Sequence, residues 1–125
     1  MTDQLTTLLL TGEYPPMEWG VADFTRILAR ALVAQSVDVH IVTSCEAKPQ
    51  SPESNSLDEG IQVHAVMEDW GFRSLTSTVR RLVEEIEADV VNVQYQSAAY
   101  DLHPAINLLP RFLGSVPVVT TFHDL

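Results

Sequence analysis

Five short apolar runs, each rich in Leu or β-branched residues, recur along this chain, separated by spacers long enough to hold a helix. That alternation constrains the fold more than any other feature, because parallel strands need a crossover of a dozen or more residues, usually a helix. The predicted strands are Leu5 to Thr11, Val37 to Thr43, Ile61 to Val66, Val90 to Tyr95 and Pro117 to Phe122. Val21, Phe24, Leu28, Ala31 and Leu32 recur at helical spacing and predict a first helix over Val21 to Ala34. Phe72, Leu75, Val79, Leu82, Val83 and Ile86 predict a second. Leu102 to Leu113 reads as a third, in which Pro104 suits the first turn, Pro110 kinks or restarts the helix, and Gly114 closes it. Glu46 to Gly60 carries four carboxylates and only two apolar residues, too few to offset its ordering entropy by burial, so it reads as a mobile loop.

These elements imply an α/β fold: a doubly wound, mostly parallel, Rossmann-like sheet of about five strands with helices on both faces and right-handed crossovers. The near-continuous apolar strands one, four and five are expected at the centre. Strand three alternates strictly and is expected at an edge, giving the order 3-2-1-4-5. In such a sheet, ligands bind at the carboxyl ends of the strands where the order reverses, here between strands one and four. The loops at that crevice are Gly12 to Gly20, Gln94 to Asp101 and Phe122 to Asp124, and all three interrupt the apolar pattern with polar and aromatic residues.

The first of these loops is the most elaborate. A strand-to-helix link usually takes about two to six residues. This one has nine, with two prolines, two aromatics, two carboxylates and a glycine directly before the helix. Gly20 allows close backbone approach, and the free N–H groups of Val21, Ala22 and Asp23 favour an anion or a polar hydroxyl. A relaxed turn is the competing account. Trp19 suits stacking on a sugar or stapling the loop to the surface. Gln94-Tyr95-Gln96 and Tyr100 end strand four with amides and phenols, which suit a neutral polyhydroxylated ligand or, equally, internal capping of the loop. His123-Asp124 sets an imidazole beside a carboxylate at the end of strand five, an arrangement able to donate to a substrate hydroxyl or phosphate. His40, His64 and His103 are scattered, and no metal site is expected.

The composition removes several function classes. At 125 residues the chain is one domain of common size, residues 1 to 125. Lys and Arg total 7 against 17 Asp and Glu, a formal net charge of −10. That is the wrong sign for nucleic acid or an anionic membrane. Cys45 is the only cysteine, which fits a reducing compartment. No basic residue precedes Arg26 to make a secretory leader, and no apolar run is long enough for an integral membrane segment, so the expected location is cytoplasmic. A dinucleotide fingerprint, a P-loop and a Gly-x-Ser-x-Gly elbow are all absent. A phosphoreceiver domain would place an acidic pair after strand one, where this chain has Thr11-Gly12.

The stretches TGEYPPMEWGVADFTRILARAL, VVNVQYQ with AAYDLHPAINLLPRFL, and VPVVTTFHDL together resemble the N-terminal domain of the type-B fold, group-one (family four) retaining glycosyltransferases. In that family two Rossmann-like domains face across a cleft, the first chiefly holding the acceptor and the second the nucleotide-sugar donor. The resemblance implies sugar transfer to a carbohydrate or other hydroxyl acceptor, with the nucleotide-sugar as co-substrate and no cofactor or metal. It places Gly20 near the donor phosphates or transferred sugar and His123 near the reacting sugar. Where the family usually carries two consecutive glycines before the first helix, this chain has Trp19-Gly20. The expected partner is the family's C-terminal donor domain, without which turnover by an incomplete, truncated acceptor-side domain is not expected. The alternative is a non-catalytic glycan-binding or partner-binding module that self-associates through exposed surface.

Overall fold

The computed structural model describes residues 4–17, 20–47, 58–100 and 104–123. Five strands, β1 (Thr6–Thr11), β2 (Asp38–Ser44), β3 (Ile61–Met67), β4 (Val90–Tyr95) and β5 (Val118–Phe122), form one parallel sheet in the order β3-β2-β1-β4-β5. The doubly wound order read from the sequence is therefore the observed one. Its centre is β1, whose Leu8, Leu9 and Leu10 are fully buried. A strand covered on both faces reads as a continuous apolar run, and each such leucine contributes about 1.5–3 kcal/mol by burial.

The register sorts the side chains into two faces. Leu9 pairs with Ile41 and Asn92, and with Val39 it lies beneath helix α1 (Gly20–Ala34). Leu10 pairs with Val42 and Val93, and this opposite face packs against Leu75, Val79 and Leu82 of helix α2 (Phe72–Ile86). Helix α3 (Ala105–Leu108) adds Ala105 and Ile106 to the same core. Pro104 stands at its N-cap, and the chain restarts as a 3-10 turn over Leu109–Phe112 with Pro110 inside its first two positions. Gly114, at φ +63, ends the segment in the left-handed region that favours glycine.

Three expectations are corrected. Helix α1 is rotated from the setting that its large apolar residues suggest. Val21, Ala22, Thr25 and Ala29 are its buried face, whereas Phe24 and Ile27 are 45% and 67% exposed. The small side chains let the helix sit close to the sheet, so the larger ones turn outward. Second, β5 is not central: it ends the described sheet, with Val119 and Phe122 53% and 63% exposed. Third, the acidic loop is tied at both ends. Cys45–Ala47 is a 3-10 turn whose Ala47 is buried, and Asp58 is held by Tyr14 and Arg26; residues 48–57 lie outside the described residues. Among the described residues no helix is long and apolar enough to cross a membrane.

Candidate functional site

All five strands run the same way, so the connections after β1 to β5 meet along one rim. The connection after β1 is fixed there by its own residues. The Thr11 hydroxyl donates to the Glu13 carbonyl at 2.7 Å and accepts from the Glu13 N–H at 3.3 Å. Gly12 lies against the connection after β4 so closely that a Cβ there would stand 2.2 Å from the Ala99 carbonyl oxygen. Tyr14 is fully buried and donates its hydroxyl to Asp58 Oδ1 at 2.5 Å. Arg26 donates to both Asp58 oxygens, at 3.1 and 3.2 Å, and its guanidinium lies 5.4 Å above the Tyr14 ring. Burial, followed by the Asp58 hydrogen bond and charge, pushes the Tyr14 phenol far above its usual range, so it remains a donor. Helix, loop and the far end of the acidic segment are thus clamped together.

On the α1 side of the sheet a chain of polar side chains crosses from β4 to β5. The Gln94 amide donates to Asn92 Oδ1, and Asn92 donates to Thr121 Oγ1 at 3.4 Å. Gln94 Oε1 is then the acceptor that faces His123 Nε2 at 2.9 Å. With the Gln94 amide oriented this way, the hydrogen of the neutral His123 ring sits on Nε2 and the lone pair on Nδ1. His123 is half-buried, its N–H donates to the Tyr95 carbonyl at 2.8 Å, and its ring meets Phe24 edge-on at 4.8 Å. Phe24 is one turn after Gly20, so the outward rotation of α1 sets its ring, one turn into the helix, against the strand-five histidine. A neutral His123 offers a ligand a hydrogen-bond acceptor at Nδ1, and donation from that atom requires the imidazolium.

A cleft of about 160 Å³ opens on the rim. Its walls include Glu13 after β1, Cys45 and Glu46 after β2, Glu68 and Trp70 after β3, and Ala99 after β4. The β2–β3 register slips between Thr43 and Ser44, and the residues just beyond that slip line the cleft. Glu13 Oε2 is buried and has no hydrogen-bond partner among the described residues. Burial holds the Glu13 carboxyl above its ordinary value.

The residues expected at the site separate into groups. Gly20 opens α1, and among the described residues no atom lies within 4 Å of a notional Cβ there. Val21 buries its side chain and can offer only its backbone. Gln96 is half-buried at the rim. Tyr95 lies on the face opposite His123, its ring 5.6 Å from Phe122. Tyr100 is corrected from ligand contact to core: it is fully buried, and its hydroxyl donates toward the Gln94 carbonyl at 2.6 Å and the Leu10 carbonyl at 3.1 Å. Trp19 and Asp124 lie outside the described residues. Three residues at the site escaped the sequence reading. Asn92 had a legible signal, since with Gln94 it puts two amides on one face of an apolar strand. Phe24 read as core, and nothing in the sequence marks the Glu13 Oε2 as buried and, among the described residues, without a partner.

A family profile described as a glycosyl transferase 4-like domain matches residues 20–125. No curated protein matches the chain, and no solved structure does.

Proposed function

This chain belongs to the glycosyl transferase 4-like domain family, and we propose from that premise that it forms the acceptor-facing side of a retaining, type-B sugar-transfer site. The co-substrate is a nucleotide-sugar, the acceptor a carbohydrate or other hydroxyl compound, and no metal or cofactor takes part. The observation that carries the reading is the contact of His123, held by Gln94, with Phe24, which follows directly on the first turn of α1. The free N–H groups of that first turn favour negative charge, as a leaving diphosphate develops. His123 Nδ1 accepts a sugar hydroxyl in the neutral ring or donates to the leaving oxygen when protonated. The Gln94–Asn92–Thr121 chain fixes the imidazole so that little is lost in orienting it when substrate arrives. No nucleophile is assigned. A nucleotide-release assay on the full gene product, across a panel of sugar nucleotides, tests the reading. His123→Ala is expected to lower kcat/KM about 100-fold; an unchanged rate removes His123 from the mechanism.

A second reading, a non-catalytic partner-binding module located in the cytoplasm, is favoured by one observation. Val119 and Phe122 on β5 are more than half exposed, on opposite faces of the last strand in the described sheet. An apolar strand at a sheet edge is a template for association. Sedimentation velocity separates the readings, since a clean monomer at high concentration argues against this one.

A further inference from the structure

We infer that the start of α2 and the 3-10 turn after α3 together form a docking surface for a short acidic segment of another protein, one that carries Leu or aromatic residues. The inference is independent of sugar transfer and concerns the sheet face opposite α1. Phe72, in the first turn of α2, meets Phe112 of the 3-10 turn edge-on at 4.8 Å, which joins the two elements at the surface. Phe72 is 43% exposed, Leu108, one helical turn before Phe112, is 40% exposed, and Phe112 itself is half-buried. Arg73 and Arg111, each next in the chain to one of the paired rings, are exposed. An apolar centre of aromatic side chains with arginine beside it is the composition that protein interfaces favour.

The charge of this face is opposite to that of the chain. Residues 70–83 and 104–123 hold Arg73, Arg80, Arg81 and Arg111 and no Asp or Glu, so the other three basic residues stand against all 17 carboxylates. Arg81 is paired with Glu85 at 3.8 Å, whereas among the described residues no carboxylate pairs with Arg73, Arg80 or Arg111. Asp69, just before the helix, is turned to the Gly71 N–H and the Ser74 hydroxyl at 2.8 and 2.9 Å. Nor does the helix account for Arg73. The first turn of α2 holds no acidic residue, and a cation there opposes the macrodipole. Carboxylates supplied by a partner complement both the guanidinium groups and that helix end. The same helix limits the partner's extent. Beyond Arg81 its exposed residues turn acidic, with Glu84, Glu85 and Glu87. Glu84 lies about 18 Å from Phe72 along the helix axis. A plane of anionic lipid would reach those carboxylates and be repelled, whereas a peptide laid across Phe72, Leu108 and Phe112 ends before them.

The test is an amide NMR titration of the whole 15N-labelled chain, following Phe72, Arg73, Leu108 and Arg111. The probes are a synthetic peptide of Glu, Leu and Phe at helical spacing, the same peptide with Lys for Glu, and vesicles of phosphatidylglycerol with phosphatidylcholine. Shifts at these residues with the acidic peptide, and no binding of the other two probes, are expected. Arg111→Glu should weaken the acidic peptide about tenfold. Arg73→Glu should do the same, and because it suits the helix dipole better it does not threaten folding. Arg30→Glu, the same change of net charge at an exposed position on α1, should leave the affinity within about twofold. Equal weakening by Arg30→Glu would reduce the binding to net charge and overturn the docking surface. No response to the acidic peptide, or an equal response to the Lys peptide, overturns it as well, and binding to the anionic vesicles overturns it in favour of a membrane.

Discussion

Gly12 and Gly20 stand at the two ends of one loop and have opposite physical reasons for being glycine. A methyl group at Gly12 would meet backbone atoms of Ala99 at 2.2 and 2.6 Å, and backbone cannot step aside as a flexible side chain can. Gly12→Ala is therefore expected to destabilise the protein by about 1–3 kcal/mol or more, read from urea denaturation. A methyl at Gly20 meets nothing within 4 Å among the described residues. Gly20→Ala should leave stability within about 1 kcal/mol, most simply by improving helix propensity. If transfer activity then falls while stability holds, the open space at Gly20 belongs to a ligand; unchanged activity would make it a plain helix start. The sequence shows both glycines but not this difference, because what a Cβ would touch is settled by the connection after β4, some 87 residues away in the chain.

Among the elements, the sheet order was legible and the setting of the helices was not. The leucine run of β1 and the alternation of β3 separate centre from edge. Two apolar stripes fit the period of α1, and only the sheet beneath decides that Ala22, Thr25 and Ala29 go inward. Likewise VVTTF reads as a buried strand although β5 is largely exposed, because the pattern records side-chain type and not what covers it. The clamp between loop and helix was also invisible, since Tyr14, Arg26 and Asp58 come from three segments. Tyr14→Phe should cost about 1 kcal/mol in thermal denaturation, as Asp58 keeps Arg26. Arg26→Met should cost more, because it leaves a partly buried carboxylate without its cation.

Between β2 and β3, the scattered histidines His40 and His64 become diagonal neighbours on one face. His40 Nε2 donates to Asp38 Oδ2 at 3.3 Å, which leaves His40 Nδ1 to accept from His64 Nε2 at 3.2 Å. Desolvation first, then the charge of His40 and more weakly Arg81, hold His64 below its ordinary value near 6.5, against the opposing pull of Glu85. The unfolded chain consequently takes up this proton more readily than the folded one. The stability at stake is intact above pH 6.5 and is lost as the pH falls through the lower, folded value. The melting temperature should decline on acidification across that window, and His64→Gln, which retains a donor for His40 but does not titrate, should flatten the decline. An identical slope in the variant would assign the acid sensitivity to other groups.

For the molecule as a whole, charge and exposed apolar surface oppose one another. A formal net charge of −10 keeps copies apart at low salt, while Val119 and Phe122 favour contact through the last strand of the described sheet. On the partner-binding reading, association should therefore rise with salt, and Val119→Glu should weaken it at least about tenfold by sedimentation. Salt-independent association, or none, would point away from β5. The contact between Gly12 and Ala99 has a further consequence, for how such a protein can diverge. The connections after β1 and β4 meet without room for even one added methyl group, so neither can drift alone. Among descendants of a common ancestor, a side chain at position 12 should be inherited only together with a shortened or displaced segment around position 99. Acceptor preference, if it is written into these two connections, would then change in paired steps and not one residue at a time.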